Sequence, residues 1–325
     1  LRPADDQPRD DVADVHAAIV PRRGHGGKAE PASVADSGPS ALAAGNPLPA
    51  LRLLTSHLSP LPSSTHSRPS PAYGRDVTHC GRAARMESLP ATERPHAPEH
   101  PMDSFDDIDV SQAILDAYHA KVRGALRSDV AIVGAGPSGL VSAWRLAAAG
   151  HRVVVLEKRL SPGGGVWGGS MGMNEVAIQP EAVGILDEAG VRHRPSGPVH
   201  VADAMELPCA LCLQALRAGA VLLNATFAED LCIRDGRVVG VVANRTRLAE
   251  GLPIDPMTFA ARAVVDATGH EAALARCLQR RGLLAGHPDG LPGEGPMDAA
   301  AGERFVVEHV TELYPGLWTT GMSVC

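Results

Sequence analysis

Residues 128–139 read SDVAIVGAGPSG, and they restrict the possible folds more than any other stretch. The apolar run Val130 to Val133 meets Gly134, Gly136 and Gly139 in the G-x-G-x-x-G spacing. A helical run continues to Ala149 and stops at Gly150; residues 151–157, HRVVVLE, then form a second apolar strand tipped by Glu157. Glycines in that spacing signal a bound dinucleotide when they lie between a strand and a helix, with an acid about 20 residues further on. All of those parts are present here. Gly134 permits the tight turn, Gly136 lets the backbone approach a pyrophosphate, and Gly139 lets the helix pack closely on the strand. The helix start offers N–H groups and partial positive charge to the phosphates. Glu157 can accept both ribose hydroxyls of an adenosine. A glycine turn without a ligand would explain the spacing alone, but not the two strands and the acid.

Composition narrows the partners. A chain of 325 residues, 44% hydrophobic, can bury a sizeable core as one or two domains. Its formal net charge of -7 argues against nucleic acid or an anionic membrane as a partner. No run approaches the ~20 apolar residues that cross a bilayer. The 6 cysteines show no framework spacing, so a reducing cytoplasm is expected. With aromatics at 3%, the core must rest on Val, Leu, Ile and Ala.

Residues 1–101 are Pro- and Ser-rich without helical or strand period, and are expected to be a disordered extension or a mispredicted N-terminus. Residues 102–325 form the expected dinucleotide-binding domain. Its first helix opens at Val110 with Ser111 as N-cap. Residues 161–170, SPGGGVWGGS, are too glycine-rich for a helix and suit backbone wrapped around a ligand. Helices are expected over 178–189 and 204–218, ended by Gly190 and Gly219, with Pro208 delaying the second. Cys209 and Cys212 fall inside that second helix and read as small core residues. A strand over 221–225, a hairpin over 231–242 turning at Asp235-Gly236, and a strand over 262–265 follow. Residues 282–302 read as an exposed loop and 305–313 as a short helix. From Leu317 a strand begins and stops inside an apolar run, as if C-terminally truncated.

Two side chains outside the glycine motifs have reactive potential. Asp255 lies in residues 251–257, GLPIDPM, and His270 closes residues 266–270, DATGH. A carboxylate and an imidazole brought together can hold Fe(II) or a similar divalent ion and leave positions open for substrate. Taken separately, Asp-Pro is a common turn and a histidine at a strand end is usually only hydrogen-bonded.

From about Val110 to Met322 the chain resembles the thiamine thiazole synthases. The resemblance is carried by residues 111–114 (SQAI), 134–139 (GAGPSG), Glu157-Lys158, 162–169 (PGGGVWGG), 254–258 (IDPMT), 265–270 (VDATGH), 314–317 (YPGL) and 321–322 (GM). It implies an α/β fold, Rossmann-like and akin to the two-dinucleotide-fold flavoproteins, with an inserted β-hairpin and substrate region. It implies that NAD is consumed as a substrate. Nicotinamide leaves, ADP-ribose condenses with glycine, sulfur is added, and the ring closes to an ADP-thiazole carboxylate. By position, Ser138, Glu157, Lys158, Gly165 and Ala228 would contact the nucleotide. Asp255 and His270 would be the iron ligands at the catalytic centre, and Met322 would line the glycine-derived end of the substrate. A homo-octamer is implied as well.

The sequence departs from that pattern twice. Eukaryotic-type members donate sulfur from a cysteine two residues before the metal aspartate, and archaeal members carry histidine there and use free sulfide. Here the position is Pro253, which has no sulfur to give. Elimination then points to sulfide and multiple turnovers, with Cys232 or Cys277 as substitute donors off the family position. The second departure is the absence of a later arginine that pairs with the substrate carboxylate, from which nucleotide binding is expected to survive better than turnover. Two other readings share the motifs: an FAD-dependent oxidoreductase and a non-catalytic nucleotide-binding remnant.

Overall fold

The computed structural model describes residues 106–325 apart from 170, 247–253, 285–290, 292 and 294. The expectations for residues 1–101 and for Pro253 lie outside the described residues. Two compact units meet in sequence between Tyr118 and His119, so the opening turns of helix α1 (Asp107–Ala125) belong to one and His119–Cys325 to the other. The sequence pattern places the cap of α1 at Ser111, but the structure moves it to Asp106. Its Oδ1 accepts the N–H groups of Ile108 and Asp109 at 2.9 Å each. Ser111 lies one turn inside, and its hydroxyl donates back to the Asp107 carbonyl at 2.8 Å.

Strand β1 (Arg127–Val133), helix α2 (Pro137–Ala148) and strand β2 (Val153–Leu156) form the first crossover. The two strands pair in parallel, with Val133 opposite Leu156. Both read as unbroken apolar runs because both faces are covered. Val130, Ile132, Val153 and Val155 enter one core cluster, while Ala131, Val133, Val154 and Leu156 enter the other.

Next come β3 (Glu175–Ile178), α3 (Val183–Ala189), β4 (His193–Ser196) and β5 (Val199–Asp203). The three strands make a separate antiparallel sheet in the order β3-β5-β4, absent from the sequence reading. Ile178 ends a strand instead of opening a helix. Pro180 starts a short 3-10 turn after it, and the α-helix waits until Val183. Strand β4, sequence HRPS, tolerates Pro195 because it lies at the sheet edge.

Helix α4 (Glu206–Arg217) starts on Asp203, whose Oδ1 accepts from Met205 N–H at 2.7 Å and Glu206 N–H at 2.8 Å. Those backbone bonds hold its carboxyl below the usual range, with that of Glu206 the stronger. Pro208 does not delay this helix: it sits in the first turn, where its missing N–H costs nothing. Cys209 is exposed and only Cys212 leans on the core, so the expectation that both are core residues holds for one alone.

Strands β6 (Val221–Leu223), β7 (Thr226–Arg234), β8 (Arg237–Arg245) and β9 (Met257–Asp266) follow. The β7–β8 hairpin turns at Asp235 and Gly236, with φ of 48° and 72°, the mirror-image turn that suits strand twist. Helix α5 (Ala273–Arg280), helix α6 (Ala299–Glu308), β10 (Thr311–Tyr314) and β11 (Leu317–Thr319) complete the chain. Helix α6 begins earlier than expected because Asp298 caps it, accepting from Ala301 N–H at 3.0 Å, and the alanines that follow favour helix. Residues 311–313, expected to be helical, fall in strand β10.

Among the described residues the main sheet has eight strands: six on the path β10-β11-β9-β1-β2-β6, and β7 and β8 joined to β9 through β8. Val133 stands opposite both Leu156 and Asp266, so β1, β2 and β9 end together at one edge. Open α/β sheets bind their ligands at that carboxyl edge. Among the described residues, no helix is long and apolar enough to cross a membrane.

Candidate active site

The loops leaving β1, β2 and β9 enclose a cavity of about 320 Å³. Strand β1 runs into the glycine turn. Gly134 has a φ of 100°, and a Cβ there would strike the Ala267 carbonyl. A Cβ on Gly139 would strike the Gly134 carbonyl. Gly136 differs, since a Cβ there would meet nothing within 4 Å, which leaves its face open for a ligand. Helix α2 starts directly after it with Pro137, without a side-chain cap and without an acid in its first turn. Its N-terminus is left to attract an anion.

Strand β2 delivers Glu157, which is buried. One carboxylate oxygen accepts Ala135 N–H at 2.7 Å and the other accepts Arg159 N–H at 2.8 Å. The carboxylate is thereby fixed between the turn and its own loop, with lone pairs left for ribose hydroxyls. The glycine loop returns over the turn: Gly163 N–H donates to the Ala135 carbonyl at 2.6 Å. Gly163 and Gly164 take φ of 122° and 63°, conformations that explain the choice of glycine.

Strand β9 ends in Asp266, which is fully buried. Its Oδ1 accepts from Thr268 N–H at 3.1 Å and Thr268 Oγ1 at 2.7 Å. Its Oδ2 accepts from Leu274 N–H at 2.9 Å and Ala275 N–H at 3.0 Å. One carboxylate therefore caps α5 and shapes the turn that carries His270. Ser323 ties the C-terminal turn to the same place, its hydroxyl accepting Gly269 N–H at 3.0 Å and lying 3.2 Å from Asp266 Oδ1. His270 keeps one face open to solvent, yet desolvation by the cavity wall pushes its imidazole below the ordinary value, so it is neutral at neutral pH. An ion pair between Lys158 and Glu271 joins the loop after β2 to the loop after β9.

Of the residues singled out from the sequence, Gly134, Gly136, Ser138, Glu157, Lys158, Gly165, Ala228, His270 and Met322 line this cavity. Gly139 lies behind it, in the packing position expected of it. Asp255 does not line it; that residue is exposed, just ahead of β9. The expected meeting of Asp255 with His270 is not made within one chain. The 10 residues of β9 lie between them, and an extended strand of that length spans roughly 30 Å. Among the described residues, no three His, Cys, Asp or Glu side chains converge as a metal site. Cys232 and Cys277 do not line the cavity, nor does any other described cysteine. Burial also pushes the Cys277 thiol up, away from a reactive thiolate.

Sequence reasoning missed Arg159 and Glu271, which line the cavity, and the anchoring roles of Asp266 and Ser323. Asp266 was within reach, because a carboxylate placed before T-G and a helical run is a plausible cap.

The match to known proteins covers the same loops. A model described as the Thi4 family matches residues 111–325. The chain belongs to the Thi4 family. Thiamine thiazole synthase of Thermococcus kodakarensis is 47% identical over 219 residues, covering 67% of this chain and 86% of the relative. The Thermotoga maritima enzyme of that name is 42% identical over 225 residues, covering 68% and 87%. The crystal structure of Thermovibrio ammonificans THI4 superposes with a TM-score of 0.63 at 39% identity, covering 68% of this chain and 87% of that one. Every loop of the cavity falls inside the Thi4 match.

Proposed function

We propose that this Thi4 chain is a thiamine thiazole synthase that consumes NAD and glycine, takes sulfur from free sulfide with Fe(II) as its metal, and forms an ADP-thiazole carboxylate for thiamine biosynthesis in the cytoplasm. The observation that carries this reading is one cavity lined by the dinucleotide turn together with His270 and Met322, with no described cysteine in its lining. The adenosine ribose would sit on Glu157 and the pyrophosphate over Gly136 and the start of α2. The nicotinamide ribose would then reach toward residues 268–271. Loss of nicotinamide there would open the ribose carbon to the amine of glycine, beside Met322. A neutral His270 can use its ring lone pair to hold a metal or to take a proton, but not both at once. With no described cysteine at the cavity, sulfur arriving from solution would leave the protein unchanged after each turnover.

Of the pair expected to hold iron, the described cavity of one chain brings in His270 and not Asp255. The donor pair of Asp255 and His270 fits iron where a second copy brings the carboxylate, as in a homo-oligomer such as an octamer.

Anaerobic incubation with NAD, glycine, Fe(II) and sulfide, followed by mass spectrometry, tests the reading. The expected outcome is nicotinamide release, an ADP-thiazole carboxylate and protein of unchanged mass. A cysteine converted to dehydroalanine would overturn the sulfide source, and untouched NAD would overturn the synthase. The family match favours this reading over a flavin-dependent oxidoreductase, which would carry a visible flavin band.

A further inference from the structure

Seating NAD in this cavity brings a doubly charged pyrophosphate close to the buried Glu157, so the site needs positive charge beyond the partial charge of a helix start. Among the described lining residues, the full cations are Lys158 and Arg159. Lys158 is committed to Glu271. No described carboxylate pairs with Arg159. Its backbone N–H holds Glu157 Oε1 at 2.8 Å, and its guanidinium Nη1 donates to the Gly164 carbonyl at 3.1 Å. Gly164 lies directly against the glycine turn, since a Cβ added to it would stand 3.0 Å from Gly136 Cα. The guanidinium is therefore tethered beside the one open face of that turn, with most of its N–H donors uncommitted.

We propose that Arg159 is the side chain that neutralises and orients the pyrophosphate of the bound dinucleotide. This deepens the proposed function and rests on it. A planar guanidinium can keep the Gly164 carbonyl on one edge and present a fork of donors to phosphate oxygens on another, which a lysine ammonium cannot match. Holding the glycine loop and the diphosphate with one group also fixes how far the nicotinamide ribose extends toward His270. Arg159 is thus a positioning residue for the chemistry and a direct ligand of the phosphates.

Calorimetric titration of the full chain with adenosine and with ADP tests this, in the parent and in Arg159→Gln and Arg159→Lys. For Arg159→Gln the expected result is ADP binding weakened about tenfold to a hundredfold with adenosine binding unchanged, the loss of a charge-assisted hydrogen-bond pair. Arg159→Lys should recover part of the loss, because it keeps the charge and gives up the fork. The dependence of ADP affinity on salt should be shallower in Arg159→Gln than in the parent. Equal weakening of adenosine and ADP would reduce Arg159 to a clamp on the glycine loop and overturn the inference, as would unchanged ADP binding. A parent chain that binds adenosine as tightly as ADP would instead overturn the dinucleotide reading itself, and the inference with it.

Discussion

The two halves of the cavity are built differently. The glycine-turn half comes from one contiguous stretch, residues 134–169, in which each part holds the next. Ala135 N–H is bound to Glu157, Gly163 N–H to the Ala135 carbonyl, and Arg159 to the Gly164 carbonyl. The His270 half is assembled from the ends of β9 and β11 and is tied together by Ser323 and Asp266. Asp255 stands apart from it, at the far end of β9. The glycine-turn half needs only local turns, whereas the His270 half draws together segments distant in sequence.

Substitutions can break each half separately. The largest expected effect is Asp266→Ala, which leaves buried N–H groups of α5 without an acceptor. A loss of about 3–5 kcal/mol in urea unfolding is expected. Gly139→Ala pushes a methyl into the Gly134 carbonyl and should cost about 3 kcal/mol. Gly136→Ala sharpens the contrast. Its site is open, so stability should hold within about 0.5 kcal/mol while ADP affinity falls more than about tenfold in titration. Glu157→Gln should weaken adenosine binding by about tenfold, because an amide cannot accept at both ends.

The smallest effect concerns pH. Burial places the folded His270 pKa below its ordinary 6.5, so between the two values the unfolded chain binds more protons. Stability should therefore slip as pH falls below about 6.5 and level off beneath the folded value, and the slope should shrink in His270→Gln. Asp129 acts lower on the scale: its hydrogen bond from Arg152 holds the carboxyl below 3.8, so its contribution fades as pH falls below 3.8 and is gone beneath that lowered value.

The β1–α2–β2 unit was legible in the sequence because doubly covered parallel strands read as pure apolar runs and glycines mark the turns. The β3-β5-β4 sheet was not, since its strands are short, partly exposed, and carry His, Arg and Pro where a β-branched run would signal a strand. Helix α5 and the first turns of α6 were hidden by nearby glycine and proline. The separation of Asp255 from His270 along one chain went unread for a different reason. Their residue types suit a metal, but the alternation that starts at Met257 makes β9 long enough to hold them apart. Arg159 gave no signal beyond its place two residues after Glu157.

Mixing two single variants tests the contrast most directly. Asp255→Ala and His270→Ala each remove an exposed side chain, so each should keep ADP affinity and stability within about 0.5 kcal/mol of the parent, and each alone should lose NAD turnover. Co-refolded together, they should regain part of the turnover, because mixed assemblies can bring an intact Asp255 of one copy to an intact His270 of another. A mixture as inactive as its components, or an Asp255→Ala chain that turns over NAD at the parent's rate, would contradict a reaction centre completed by two copies.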